Sequence, residues 1–145
     1  MTFRHDLLQE LRSVFIDCRL IMQKREGDWW LATRDGGAGV AICTFWRLRD
    51  PSHILVSVED DGHCFGHSEP VNVEAKLNES IADLQVQDLT IDSATGDLRF
   101  LFSSGASLEI IVTSSGYECW EAYRTEKQHL NLLAIGRNGG IGFSL

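Results

Sequence analysis

The sequence predicts an α+β domain that is mainly antiparallel β, with an N-terminal amphipathic helix packed on one or two twisted sheets. Three observations support this prediction. One segment near the start repeats its apolar residues with the period of a helix. Most other apolar segments alternate with period two, which is typical of strands buried on one face. Glycine-containing turns at residues 35–37 and 103–105 each separate two such segments and so predict two related β-hairpin units.

The predicted helix covers residues 6–15. Its apolar residues at positions 7, 8, 11, 14 and 15 share one face, and polar residues occupy the other, so the helix should pack on a sheet. A second, weaker helical turn is predicted at residues 77–84, where Leu77, Ile81 and Leu84 share a face. It would serve as a connector.

The strands are predicted from their alternation. The first hairpin consists of residues 30–33 and 39–46 on either side of a turn at 35–37. The second hairpin repeats this arrangement with residues 98–102 and 107–112. Further strands are expected at residues 53–58, 85–92, 130–135 and 141–143.

The two hairpin units resemble copies of one unit. Residues 69 positions apart match: Leu20 with Leu89, Met22 with Ile91, Gly27 with Gly96, Asp28 with Asp97, and Gly36 with Gly105. With one residue inserted, Val40 and Ile42 then match Leu108 and Ile110. The chain is therefore interpreted as a single domain, residues 1–145, with a possible internal duplication of residues 14–55 and 84–125. The alternative is that unrelated hairpins share their turn chemistry.

Alternation also predicts which residues of the second unit face the core. The inward set is Leu98, Phe100, Phe102, Leu108 and Ile110. Leu101 and Ile111 are apolar but fall on the outward set with Arg99 and Glu109. We therefore expect the outward face to be covered, either by the N-terminal helix or by a second sheet.

Length and composition are those of one globular domain. The chain has 145 residues, of which 43% are hydrophobic and 23% charged, so disordered and collagen-like classes are excluded. No apolar run approaches the roughly 20 residues that span a bilayer, and the start of the chain lacks the apolar stretch of a secretory signal. A cytoplasmic protein is expected.

The cysteines have no Cys-x-x-Cys spacing and are expected to be reduced thiols: Cys18, Cys43, Cys64 and Cys119.

The negative charge is concentrated in one segment. The net charge is −8, and residues 56–83 carry seven acidic side chains against Lys76 alone. Such a field repels nucleic acid and anionic lipid and attracts basic partners. The alternative is a solvated face that maintains solubility.

Short motifs in the chain carry a family resemblance. They are Gly96-Asp97-Leu98, Phe102, Leu108-Glu109-Ile110 and Ser114-Ser115-Gly116-Tyr117-Glu118-Cys119-Trp120, together with Phe45-Trp46-Arg47-Leu48 and Gly139-Gly140. The pattern resembles a family of small bacterial proteins that are often suspected to be immunity proteins for polymorphic or contact-dependent toxins. The resemblance covers residues 14–143 and its motifs are structural, so it carries over no catalytic residue. It implies a β-rich fold and a toxin-binding role.

The segment from Asp60 to His67 contains the richest set of reactive side chains. Zinc would accept His63, Cys64 and His67, but a fourth ligand and the usual separated ligand pairs are missing. Cys64 and a neighbouring histidine are also readable as nucleophile and base, although sequence neighbours rarely have the required geometry. The simpler interpretation is a polar loop with Phe65 tucked inward. We expect no catalytic residue, no metal and no cofactor.

The glycine-rich segment 136–142 lacks the Gly-Lys-Ser/Thr ending of a phosphate loop, so a turn between strands is expected there.

Adjacent Trp29 and Trp30 must face opposite sides of a strand. Tryptophan is a frequent anchor at protein interfaces, and Trp46 is a further candidate for this role. The alternative is that the tryptophans fill a two-sided core.

The leading functional hypothesis is an intracellular immunity or antitoxin-like protein that neutralises a cognate toxin domain. Its acidic surface would block the toxin's basic cleft, since such charges steer association. The partner is expected to be a protein, with no nucleic acid and no membrane, and the chain to be a monomer or weak homodimer. The alternative is a small regulatory or scaffold module. The candidate partner-binding residues are Glu59, Asp60, Asp61, His63, Glu69, Glu74 and Trp46.

Overall fold

The structure is a computed structural model, and it describes residues 4–142. This part of the chain contains two α-helices, one 3₁₀ turn at Val58–Asp60 and eleven strands. In chain order the helices and strands are α1 (His5–Phe15), β1 (Leu20–Lys24), β2 (Trp29–Thr33), β3 (Ala38–Ile42), β4 (Trp46–Arg49), β5 (Ile54–Ser57), α2 (Val73–Ile81), β6 (Val86–Ile91), β7 (Leu98–Phe102), β8 (Ser107–Ile110), β9 (Trp120–Glu126), β10 (His129–Arg137) and β11 (Gly140–Gly142).

The strands form two antiparallel sheets. The six-stranded sheet has the order β1-β2-β3-β9-β10-β11, and the five-stranded sheet has the order β5-β4-β8-β7-β6. Every neighbouring pair is antiparallel. The predicted α+β, mainly antiparallel fold with an N-terminal helix is therefore confirmed. Of the last predicted strand, Phe143 lies outside the described residues.

The chain exchanges hairpins between the two sheets. Strands β1 to β3 form a meander in one sheet, and β4 and β5 then join the other sheet beside β8. Strands β6 to β8 form a meander in that other sheet, and β9 and β10 return to the first beside β3. The predicted continuous strand over residues 39–46 is therefore wrong, because the strand ends at Ile42 and residues 43–45 cross between the sheets. The sequence is apolar on both sides of the crossing because both sides enter the core.

The two halves of the chain use equivalent strand pairings. Trp46 of β4 lies opposite Ile110 of β8, and Trp120 of β9 lies opposite Ile42 of β3. Each hairpin exchanged into the opposite sheet therefore begins with a tryptophan beside the last isoleucine of the other half's meander. The duplication, as an event in the history of the sequence, stays a prediction.

The β-bulges and the helices also occupy equivalent positions in the two halves of the chain. The ladder between β4 and β5 skips Leu55, and the ladder between β9 and β10 skips Leu133 at the equivalent position. Helix α1 contacts β6 and β10, and helix α2 contacts β1 and β5.

Helix α2 begins four residues earlier than predicted because the Asn72 side chain accepts a hydrogen bond from the Ala75 N–H and caps the helix. In residues 4–142 no helix has the length and apolar character needed to cross a bilayer.

The predicted alignment of the first strands needs a correction. Met22 lies beside Leu31 of β2, and Leu89 lies beside Phe100 of β7, so Met22 corresponds to Leu89 and not to Ile91. The physical reason is that the turn between β6 and β7 is two residues longer than the turn between β1 and β2. Leu20, predicted to match Leu89, corresponds to Val86, because the ladder between β6 and β7 also shifts by one residue between Val86 and Asp88.

The hydrophobic core lies between the two sheets. Trp46 and Trp120 are its largest fully buried side chains, and Phe15 of α1 packs edge-to-face on Phe100 with ring centroids 5.4 Å apart. The residues predicted to face inward in the second unit are all buried: Leu98, Phe100, Phe102, Leu108 and Ile110. This inward assignment is therefore confirmed.

The outward face of the second unit is not covered by the helix. Leu101 and Ile111 are half-buried, and Phe15 of α1 packs on Phe100, whose side chain lies on the opposite face of β7 from Leu101. The prediction that the N-terminal helix or a second sheet covers Leu101 and Ile111 is therefore wrong, because both side chains stay half-exposed. The helix contributes to the core between the sheets and leaves the outward face half-exposed.

Candidate functional site

The acidic loop, defined as residues 58–72, connects β5 to α2 and joins the two halves of the chain. It contains most of the predicted partner-binding residues, and Glu74 follows in the first turn of α2. Glu59 and Glu69 are exposed, as is His63, while Asp60 and Asp61 are half-buried. The structure therefore brings together on one connection the predicted residues Glu59, Asp60, Asp61, His63, Glu69 and Glu74.

The base of the acidic loop is fastened to strand β1. The Asp61 carboxylate accepts a hydrogen bond from Lys24 Nζ at 2.6 Å and another from the Val73 N–H at 3.2 Å. The bond from Lys24 holds the pKa of Asp61 below its usual value. The Glu74 carboxylate accepts a hydrogen bond from the Lys24 backbone N–H at 2.6 Å. Asp61 and Glu74 thus position the loop, a role that the sequence did not indicate.

The arms of the acidic loop pair with each other and end in a tight turn. The Gly62 N–H donates to the Val71 carbonyl, and the Val71 N–H donates to the His63 carbonyl, both at 2.8 Å. At the tip, the His67 N–H donates to the Cys64 carbonyl at 2.8 Å. The two central residues of this turn both have positive φ, 48° at Phe65 and 82° at Gly66. This is the backbone of a type I′ turn, which glycine and asparagine normally occupy.

Phe65 at the tip of the acidic loop is exposed. Its relative exposure is 64%, and its ring stacks on His63 with centroids 5.7 Å apart. The prediction that Phe65 is tucked inward is therefore wrong, because the type I′ turn directs its side chain away from the core. A large aromatic side chain in the left-handed region is uncommon and strained, and such strain concentrates at functional positions.

Three carboxylates of the acidic loop have no cation partner in residues 4–142: Glu59 and Asp60 in the 3₁₀ turn after β5, and Glu69 beyond the tip. Lys24 compensates only Asp61 among the loop carboxylates. The acidic loop therefore keeps a net negative charge, while Asp61 is neutralised by Lys24 and anchors the base of the loop.

Trp46 is not part of this surface. It is fully buried, and its ring packs edge-to-face on Trp29 with centroids 5.1 Å apart. Its predicted partner-binding role is wrong, because β4 joins the five-stranded sheet with Trp46 on the inner face, opposite Ile110. The equivalent Trp120 is also buried and donates its indole N–H to the Gly96 carbonyl at 2.9 Å.

The reactive residues of the loop are separate from one another. Within residues 4–142 no group of three or more His, Cys, Asp or Glu side chains is arranged to hold a metal ion. Cys64 is exposed, and in the described part of the chain its thiol has no hydrogen bond to His63 or His67. All four cysteines of the chain are free thiols.

A second surface feature, on the outer face of the six-stranded sheet, was missed by the sequence reasoning. It is a cavity of about 280 Å³, and it is lined by Arg25, Asp28, Trp30, Ala41, Cys43, Glu121, Tyr123 and Leu130. Strand β9 lies beside β3, and this pairing brings Tyr123 and Glu121 next to Trp30. Two features of the sequence pointed to this surface: one member of the Trp29-Trp30 pair must face outward, and β9 alternates. Neither feature shows that β9 lies beside β3. We call this feature the aromatic cavity.

The outer face of the five-stranded sheet has a different chemistry. Arg47 Nε and Arg49 Nε both donate to the same oxygen of Glu109, at 2.9 and 2.8 Å, and Arg99 is exposed nearby on β7. Burial alone would raise the pKa of Glu109, but the two arginines together hold it below its ordinary value. This face therefore carries more positive than negative charge at its centre.

Comparison of the chain with protein-family models, with curated proteins and with solved structures gives no match. Function is therefore inferred from the contacts described above.

Proposed function

We propose that the protein is an immunity or antitoxin-like inhibitor that binds a cognate toxin domain through the acidic loop. The observation that carries the proposal is Phe65, which projects at 64% exposure from a loop whose base is fixed to β1. Aromatic side chains are enriched at the centre of protein interfaces, where a polar rim surrounds them. In the proposed complex the Phe65 ring enters the toxin's cleft and the carboxylates meet its basic rim.

The geometry supports this mode of binding in two ways. The hydrogen bonds of Asp61 and the paired loop arms hold the tip before any partner arrives, so little conformational entropy is lost on binding. The unpaired carboxylates of Glu59, Asp60 and Glu69 attract a positive cleft over a distance of about 8 to 10 Å at physiological salt. Such an inhibitor acts by occlusion in the cytoplasm, where its toxin would act, and it requires no cofactor.

The proposal is tested by protection of cells against the toxin. The gene next to the one that encodes this chain is the first candidate for the toxin, since an immunity protein must be made together with its toxin. We expect co-expression of the wild-type chain to restore growth of cells that express the candidate toxin domain. The variant Phe65→Ala should fail to protect, because the anchor is lost while the core is untouched.

Matched controls separate the loop from general effects of charge. The triple variant Glu59→Gln, Asp60→Asn, Glu69→Gln should protect weakly, whereas Asp17→Asn, Glu26→Gln and Glu118→Gln together remove the same number of exposed charges outside the loop and should protect fully. If every loop variant protects as well as the wild-type chain, the acidic loop is not the docking element. If the chain binds its neighbour but cells are not protected, the scaffold or regulatory module is the correct class.

A further inference from the structure

Equivalent positions on the outer faces of the two sheets differ in charge. In the five-stranded sheet a cross-strand row consists of Arg47, Glu109 and Arg99, on β4, β8 and β7. The side chain in the middle of this row is a carboxylate, and it receives a hydrogen bond from Arg47. The row is thus an anion between two cations.

The corresponding row of the six-stranded sheet lacks its middle group. It consists of Glu121, Ala41 and Trp30, on β9, β3 and β2. Glu121 occupies the position equivalent to Arg47. Ala41 occupies the position equivalent to Glu109, but its side chain is only a methyl group. The space above Ala41 is part of the aromatic cavity. By analogy with the other row, the group that completes this one is a cation.

Glu121 itself has no cation partner in the described part of the chain. It is half-buried, and the hydrogen bond that it accepts comes from the neutral Tyr123 hydroxyl. A partly desolvated carboxylate is much better stabilised by a positive group than by a hydroxyl alone. The cavity therefore contains an acceptor that a guanidinium or ammonium group would satisfy.

The walls of the aromatic cavity suit such a group. The rings of Trp30 and Tyr123 lie 6.1 Å apart and are tilted by 48°. The Arg25 guanidinium already lies 4.9 Å from the Trp30 ring centroid, with Asp28 holding it at 2.5 and 2.8 Å, so the structure itself shows that this aromatic surface accepts a guanidinium.

Burial, together with nearby carboxylates, raises the pKa of two groups that line the cavity. Burial, and then the hydrogen bond to Glu121, raises the pKa of Tyr123 to about 12. Burial raises the pKa of the Cys43 thiol, and Asp28 and Glu121 raise it further. Because Arg25 compensates only one of these two carboxylates, an added cation improves the local balance of charge.

We propose that the aromatic cavity binds the guanidinium or ammonium group of an arginine or lysine side chain from the protein partner, above Ala41 and against Glu121. This inference deepens the proposed function, on which it rests for the basic character of that partner. Lys24, which binds Asp61 of the acidic loop, and Arg25, which lines the cavity, are consecutive, but their side chains lie over Trp29 and Trp30 on opposite faces of β2. The cavity is therefore a contact site separate from the acidic loop.

A lysine side chain introduced at position 41 tests whether the aromatic cavity holds a cation. Ala41→Lys places an ammonium group in the cavity, and Ala41→Met supplies an uncharged side chain of similar length. We expect the melting temperature of Ala41→Lys to exceed that of Ala41→Met by about 2–4 °C, and this difference to disappear when Glu121→Gln is added to both. An Ala41→Lys variant no more stable than Ala41→Met, or a difference that persists with Glu121→Gln, overturns the proposal.

A soluble probe tests the pocket without changing Ala41. The wild-type chain is titrated with an acetylated Gly-Arg-Gly amide, and the Trp30 indole N–H signal is followed by NMR after assignment with Trp30→Phe. We expect the matched citrulline peptide, and the Glu121→Gln variant with the arginine peptide, to bind roughly fivefold more weakly. Equal shifts with both peptides, or no shift with the arginine peptide, contradict a cation site.

These measurements remain distinguishable from the test of the proposed function. The triple variant Glu59→Gln, Asp60→Asn, Glu69→Gln should bind the arginine peptide like the wild-type chain, because none of these residues lines the cavity. A positive peptide result together with failed toxin protection would contradict the proposed function and leave the cation site standing.

Discussion

Single side chains in the acidic loop divide into those that hold it and those that remain free. Asp61 and Glu74 accept hydrogen bonds from Lys24, whereas Phe65 and Glu69 are exposed. Sequence reasoning located this loop from its charge, but treated all of its carboxylates as equivalent. It had no means of separating them, because the position of Lys24 beside the loop depends on how β1 packs against α2.

Asp61→Asn should weaken the base of the loop in a pH-dependent way. The folded-state pKa of Asp61 lies below its unfolded value of about 3.9, so its ion pair stabilises the fold above that value. This contribution is lost as the pH falls through the lowered folded pKa. We expect Asp61→Asn to reduce the free energy of unfolding by about 0.5–1 kcal/mol at pH 7, and the difference to vanish in acid. Urea unfolding from pH 7 to about pH 2 measures it, with Asp60→Asn as the control. A constant difference at all pH values would exclude the ion pair as its source.

Gly136→Ala should destabilise the core. A Cβ at Gly136 would lie 1.8 Å from the Trp120 ring, which is buried and held by its bond to Gly96. We expect a loss of about 1–3 kcal/mol, since an overpacked core must shift. Gly116→Ala is the control, because nothing lies within 4 Å of its added Cβ. Equal unfolding midpoints in guanidinium chloride for the two variants would show that Trp120 has room to move.

At the scale of elements, each helix of the chain protects an edge strand. Asn78 of α2 accepts a hydrogen bond from the Met22 N–H at 2.7 Å and donates one to the Met22 carbonyl at 2.8 Å. On the other sheet, Arg12 of α1 donates to the Leu89 carbonyl at 3.0 Å. Met22 and Leu89 are the equivalent residues of β1 and β6, so the two helices satisfy corresponding edge groups that would otherwise pair with another chain.

Asn78→Ala should therefore lower stability and promote self-association. Two partly buried backbone groups of Met22 lose their partner, which costs about 1–3 kcal/mol. Chemical unfolding and sedimentation at increasing protein concentration measure the two effects. Ser80→Ala is a suitable control, because the Ser80 hydroxyl bonds only the Lys76 carbonyl within the same helix. An Asn78→Ala chain that stays monomeric and as stable as Ser80→Ala would contradict the edge-protection argument.

Helices and hairpins that have a local pattern in the sequence were predictable, but the pairing of strands from distant parts of the chain was not. The periodicity of α1 and the glycine turns at residues 36 and 105 are visible in the chain, and both hairpins form where expected. The crossing at residues 43–45 carries no local signal, because it depends on β4 finding β8 some 60 positions away. The aromatic cavity was missed for the same reason, since it requires β9 to lie beside β3.

At the scale of the whole molecule, the exchanged hairpins make the two halves of the chain mutually dependent. Each half places a meander in one sheet and a hairpin in the other, so cutting the acidic loop should leave both halves associated. We expect a chain cleaved at a protease site inserted after Cys64 to co-elute as one folded species under native conditions. Separation of the halves on gel filtration would contradict the interlocked arrangement, and an uncleaved chain with the same insertion is the control.

The docking role of the acidic loop is tested most directly by the kinetics of binding to the cognate toxin domain, measured by surface plasmon resonance at several salt concentrations. Phe65→Ala should raise the dissociation rate and weaken binding by about 2–4 kcal/mol, as loss of a hot-spot aromatic residue does. The triple variant Glu59→Gln, Asp60→Asn, Glu69→Gln should lower the association rate and flatten its dependence on salt. Wild-type rates and salt dependence in both variants would show that the partner binds elsewhere on the molecule.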